Sequence, residues 1–145
     1  MKIEIEIDSG CKEPKLIIRT AAITEEINLL IKRLSLDSPQ LLTGLINGEL
    51  VVLEQEHIVR FYSENGKVFA RDDKHNYAVK QRLYELEEML DKKFVRISNS
   101  EIINLKKAKR FDLSITGTIR VNLSNGDYVF VSRRYVSKIK QLLGV

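Results

Sequence analysis

Two histidines, one cysteine and twenty carboxylates are the raw material for catalysis or metal binding in this chain. His57 and His75 are isolated, and their spacing to other histidines, cysteine and carboxylates predicts no metal centre. No nucleophile elbow, P-loop or dinucleotide glycine pattern occurs, and the single glycine of "SENGK" (63–67) belongs to a hairpin, not a phosphate cradle. The acidic pairs Asp72-Asp73 and Glu87-Glu88 read as a solvated loop and a solvated helix face. No general base stands beside a nucleophile, so the reading is no enzyme, no cofactor and no small-molecule substrate.

Residues suited to a polyanion are better represented. The stretch "FVRISNSEIINLKKAKRF", Phe94 to Phe111, interrupts an apolar run with Ser98, Asn99 and Ser100 and then puts four cations into five residues. Asn pairs hydrogen bonds with adenine, Ser reaches phosphate, and Arg96 suits either target. Lys106 and Lys107 open a run fit for backbone contacts. Arg133 and Arg134 fall in the first turn of a final helix, where positive charge opposes the dipole by a few tenths of a kcal/mol. Asn65 and Lys67 add a hairpin tip. Each feature has a bland counterpart: a polar turn, a solvated cationic run, two arginines tolerated at a surface.

Charge distribution tips the balance. Residues 1–91 carry 12 Lys/Arg against 17 Asp/Glu (−5), and residues 92–145 carry 12 against 3 (+9), which add back to the net +4. A basic half of this kind gains by releasing counterions from phosphates. No pair of adjacent short helices is present, so any base reading falls to loops. The few aromatics do not interleave with cations along a strand, which ranks duplex DNA above RNA.

The elements that must position these residues follow from periodicity. "KIEIEID" alternates Ile3, Ile5 and Ile7 against charge, and "KLIIRT" reads as a second strand. Ile23, Ile27, Leu30, Ile31 and Leu34 then form one helical stripe, ended by "DSP". "LLTGLINGELVVLE" breaks at Gly44 and turns at Asn47-Gly48; Asn65-Gly66 joins two further strands. "NYAVKQRLYELEEMLDKK" reads as the main helix, with Val79, Leu83, Leu86 and Leu90 on one face. Residues 111–132 supply three short strands, the last two joined at Asn125-Gly126. A helix follows, with Ser132 as N-cap, Val136, Ile139 and Leu143 inward and Gly144 as stop. The expected class is α+β, mostly β: a small βα module over residues 1–42 and a β-rich domain over 43–145.

Met1 leads straight into a strand pattern, no run is long enough to span a bilayer, and the lone Cys11 excludes a disulfide framework. A cytoplasmic location is the expectation.

The block from Phe94 to Leu105, preceded by "LYELEEMLDKK" and followed by "VSRRYVSKIK", resembles the LytTR DNA-binding family of bacterial transcriptional regulators over about residues 45–145. The resemblance implies an elongated antiparallel β-domain whose loops enter successive major grooves at imperfect direct repeats. It places Asn99 at a base-contacting position with Arg96 and Ser100 beside it, matches Arg134 to a second reading position, and matches Asn65-Gly66-Lys67 loosely to a third loop. Ser98 stands where the family commonly has His, and Glu101 where it has an aromatic. Residues 1–42 are too short for a receiver domain, which implies the stand-alone type. Such regulators are often paired with a small multi-pass membrane inhibitor protein, and tandem sites fit a homodimer. The alternatives are an RNA-binding or ribosome-associated basic β-module, and an adaptor whose basic half meets an acidic protein.

Overall fold

Asn-Gly pairs set the hairpins because both central positions of a two-residue turn need positive φ. In the computed structural model, which describes residues 1–34 and 41–145, Asn47 (φ 50) and Gly48 (φ 79) join β1 (Thr43–Ile46) to β2 (Glu49–Val52). Asn65 (φ 51) and Gly66 (φ 76) join β3 (Arg60–Glu64) to β4 (Lys67–Arg71) in the same way. These strands, with β5 (Asn76–Val79), β6 (Phe94–Ser98) and β7 (Glu101–Asn104), form an antiparallel sheet in the order β2-β1-β5-β4-β3-β7-β6. A second sheet, β10-β9-β8, comprises β8 (Ala108–Asp112), β9 (Ile119–Leu123) and β10 (Tyr128–Val131).

β7 explains the consecutive isoleucines. Its side chains alternate between faces, yet Ile102 and Ile103 are both buried. Ile102 joins Phe61, Ala70, Val79, Leu83 and Leu86 under helix α2 (Leu83–Met89). Ile103 joins Val95, Ile97, Val121, Val131 and Ile139 between the two sheets and helix α3 (Arg133–Leu143). Each such side chain contributes about 1.5–3 kcal/mol by leaving water. The single buried polar residue of the described core, Asn104, is satisfied on both sides. Its Nδ2 donates to the Ile58 carbonyl at 2.9 Å, and its Oδ1 accepts from the Lys106 amide at 3.0 Å.

An ionic cluster joins the sheets at one end. Arg60 donates to both Glu101 oxygens (3.1 and 2.7 Å), while Arg60 Nε and Arg71 Nε donate to Asp127 Oδ2 at 3.3 and 2.9 Å. Asp127 closes the β9–β10 loop, where Asn125 Nδ2 also donates to it at 3.1 Å.

Three expectations need correction. Asn76–Val79 is a strand, not the start of the main helix, because its edge is paired residue by residue with β4. That tertiary pairing overrides a local helical pattern. Gly44 is inside β1, not a break: an added Cβ there would stand 2.5 Å from the Tyr77 Cβ, so the strand needs glycine for close approach. Residues 1–24 contain no strand, and Ile3, Ile5 and Ile7 are 83%, 84% and 95% exposed. An alternating segment needs a neighbouring edge to take its amides and carbonyls, and residues 1–24 form no such pairing among themselves.

Residues 1–39 and 40–145 are separate compact units. In the first, the regular element is α1 (Glu25–Leu34), whose Thr24 Oγ accepts from the Ile27 amide at 3.3 Å. Glu25 and Glu26 lead it and Lys32 and Arg33 end it, as the dipole favours. Its stripe is only partly covered: Ile27 and Leu30 are half-buried, Ile31 and Leu34 exposed. The "DSP" stop at residues 37–39 lies outside the described residues.

Candidate nucleic-acid interface

Ser98, Asn99 and Ser100 form the tight end of the β6–β7 hairpin, where the register shifts between Arg96 and Ser98. The Ser100 amide donates to Ser98 Oγ at 3.2 Å, and the Ser63 amide of β3 donates to the Ser100 carbonyl at 2.9 Å. Asn99 and Ser100 are exposed and Ser98 is half-buried. Among the described residues, the Asn99 side chain has no protein partner, so its amide faces outward unspent.

Arg96 is placed differently from a free reading side chain. Its Nε donates to the Ser98 carbonyl at 2.6 Å, its Nη2 to the Asn99 carbonyl at 2.6 Å, and its Nη1 to Glu87 Oε1 of α2 at 2.9 Å. The side chain is 16% exposed. The guanidinium therefore fastens the turn from beneath and ties it to α2, and its fork is largely consumed.

The β3–β4 turn and this hairpin end share an open cleft of about 490 Å³, lined by Gly66 and Lys67 on one side and Arg96 and Asn99 on another. Asn65 is exposed beside them. Its lining also includes Lys80, Gln81 and Arg82 from the β5–α2 connection, which the sequence reading missed. Gln81 Oε1 is buried there without a partner among the described residues. The usable signal was Glu85, whose carboxylate accepts from the Arg82 amide at 3.3 Å and marks the start of α2.

The start of α3 sits against the same hairpin, because the Ser132 amide donates to the Ile97 carbonyl at 2.9 Å, one residue before Ser98. Ser132 occupies the N-cap position as expected, although its hydroxyl makes no capping bond. Arg133 and Arg134 are both exposed. Arg133 lies over the loop before β9: an added Cβ at Gly117 would stand 3.4 Å from its Nε. Lys106 and Lys107 lie elsewhere. They follow β7 at its other end, where the Ser124 amide donates to the Lys107 carbonyl at 2.8 Å.

Residues 92–145 hold three acids. Glu101 and Asp127 face Arg60 and Arg71, which come from the acidic half of the chain. Burial would raise the Asp127 carboxyl, but hydrogen bonds from Asn125 and Arg71 and the charges of Arg60 and Arg71 hold it below its ordinary value. Asp112 is likewise lowered by the Ser114 hydroxyl and amide.

One group with metal-binding donors does occur, contrary to the spacing argument: Glu54, Glu56 and His57 bring ligand atoms within 4.8 Å of one another. All three are exposed, and no further feature there points to an ion. No helix among the described residues is long and apolar enough to cross a membrane.

The LytTr DNA-binding domain model matches residues 48–144. Two Staphylococcus aureus proteins, from strains NCTC 8325 / PS 47 and MRSA252, are 31% and 30% identical to this chain over 146 aligned residues. Each alignment covers 100% of this chain and 99% of the relative, and both relatives are described as uncharacterised HTH-type transcriptional regulators. Among solved structures, the LytTr DNA-binding domain of a methyl-accepting/DNA response regulator from Bacillus cereus superposes with a TM-score of 0.69 at 23% identity. It covers 73% of this chain and 99% of that one. The helix-turn-helix in the relatives' description has no counterpart among the described residues, where five strands separate α2 from α3.

Proposed function

The chain belongs to the LytTr DNA-binding family and is a DNA-binding transcriptional regulator; from that premise we propose that it reads duplex DNA through loops at imperfect direct repeats, without catalysis or cofactor. Asn99 and Arg134 read bases, Ser98 and Ser100 support Asn99, Asn65, Lys67 and Arg133 contact the flanking backbone, and Arg96 holds the reading turn in shape. The observation that carries this reading is the bond from the Ser132 amide to the Ile97 carbonyl at 2.9 Å, which sets the α3 entrance against the hairpin bearing Asn99. Loops held side by side can meet one groove edge together.

The test is selection of bound duplexes from a random pool with the full chain. Recovery of a paired repeat, lost when Asn99 or Arg134 is replaced by Ala, is the expected result. Binding with no recoverable motif would overturn it. Competition with single-stranded RNA separates the RNA-binding alternative, which requires RNA to displace the duplex.

Residues 1–42 serve self-association or a restraining partner in this reading, supported by the exposed Ile3, Ile5 and Ile7. Sedimentation of the full chain is expected to show a dimer at tens of micromolar. A monomer throughout that range leaves the membrane inhibitor as the candidate partner, tested by co-purification from membranes. A cytoplasmic location follows from the DNA target.

A further inference from the structure

Strand pairing assigns each residue of the β8–β9–β10 sheet to a face, because directly opposed residues point the same way. One cross-strand row is Arg110–Asn122–Tyr128 and the next is Asp112–Arg120–Phe130. The intervening residues Phe111, Val121 and Val129 pack into the core. The two rows therefore look outward. Tyr128 and Phe130 are 57% and 50% exposed, an unusual investment of aromatic area on a surface.

Positive charge converges on the first row. An open cleft of about 310 Å³ is lined by Lys109, Arg110, Arg120, Asn122, Gly126 and Tyr128. Lys106 and Lys107 precede the same strand. The face carries one acid, Asp112, which accepts from the Ser114 hydroxyl and amide at 2.6 and 2.9 Å and stands opposite Arg120, so the cations of the first row outnumber it. Arg120 Nε and Asn122 Oδ1 are buried without hydrogen-bond partners among the described residues. The row is remote from the reading loops: Tyr128 precedes Ser132 by four strand positions, about 13 Å at 3.3 Å per residue.

We propose that this face is a second binding surface, distinct from the duplex-reading loops, that takes an acidic segment of a protein partner. Charge complementarity selects an anionic occupant, and exposed Tyr and Arg side by side are the composition of interface hot spots. One detail favours polypeptide over a nucleic acid strand. The aromatics are engaged with their neighbours: the Arg120 guanidinium carbon stands 4.3 Å from the Tyr128 ring centre, and Tyr128 meets Phe130 edge-on at 5.9 Å and 87°. Single strands are gripped by rings left open for successive bases.

The experiment uses the full isotope-labelled chain and a 12-residue peptide rich in Glu with two Leu, beside the same peptide with Gln for Glu. The expected result is amide shifts confined to residues 109–110, 120–122 and 126–128 with the Glu peptide and none with the Gln peptide. Binding should weaken at least tenfold in Lys109→Glu/Arg110→Glu and in Tyr128→Ala, and stay unchanged in Asn99→Ala and Arg134→Ala. A cognate duplex added to the complex should shift residues 65–67, 99–100 and 133–134 without releasing peptide. Release by duplex, shifts at the reading loops, no shift at this face up to millimolar peptide, or an oligo(dT) strand that occupies the face and expels the peptide would each overturn the proposal. Because Lys109 and Arg110 are exposed, their reversal leaves the fold intact, which far-UV circular dichroism confirms before binding is scored.

Discussion

Asn99 and Arg96 are three residues apart in sequence and have opposite relations to solvent. Asn99 has an unengaged amide at the tip of a tight hairpin, whereas the Arg96 guanidinium has three protein acceptors beneath it. The proposed roles separate accordingly in binding assays. Asn99→Ala and Arg134→Ala are each expected to lose about 1–3 kcal/mol of discrimination between the selected site and a scrambled duplex. Arg96→Lys keeps the charge and loses the fork, so site discrimination should fall by about 1.5–3 kcal/mol while the salt dependence of non-specific binding stays level. A slope reduced by about 1 would mean that Arg96 touches phosphate directly. The position of Asn99 was legible from "SNS" between two apolar runs, because a short polar break in a strand pattern turns outward. The duty of Arg96 was not, since its acceptors are two backbone carbonyls and a carboxylate of α2 that only the folded chain brings to it.

Elements were legible where local chemistry decides them. The Asn-Gly turns at 47–48 and 65–66 adopt positive φ at both residues, and Gly144 ends α3 at φ 75, as the sequence reading required. Where pairing partners decide, the reading failed: Asn76–Val79 became a strand because β4 was available, whereas Lys2–Asp8 forms no strand. Asn104 was invisible for a related reason, since nothing local announces a polar side chain that will bridge Ile58 and Lys106. Asn104→Ala is expected to strand both groups and cost about 1–3 kcal/mol in urea unfolding. Gly44→Ala forces a methyl against the Tyr77 Cβ at 2.5 Å and should lower the unfolding midpoint by an overpacking cost of about 1–3 kcal/mol.

At the level of the whole molecule, acid sensitivity tests how the two sheets are joined. Asp127 is held below its ordinary carboxylate value, so its contribution to stability is complete above its unfolded value of about 4 and is lost as pH falls through the folded value. Glu101 runs the other way: burial raises its carboxyl despite the hydrogen bonds and charge of Arg60, so its contribution is present below its unfolded value and fades as pH rises through the folded one. Denaturant midpoints between about pH 3 and 7 should therefore show a shallower acid decline in Asp127→Asn and a steeper one in Glu101→Gln than in the parent. Both hydrophobic clusters lie within residues 42–143. Removal of residues 1–39 should accordingly leave a cooperative thermal transition, as scanning calorimetry would register. The bond between Ser132 and Ile97 carries one more implication: the two loops proposed to read bases share one frame and cannot slide apart to suit an operator. Any variation in the distance between their targets must be absorbed by twisting the DNA, so duplexes with a base pair inserted between the two proposed contacts should pay in torsion and bind more weakly in a shift assay.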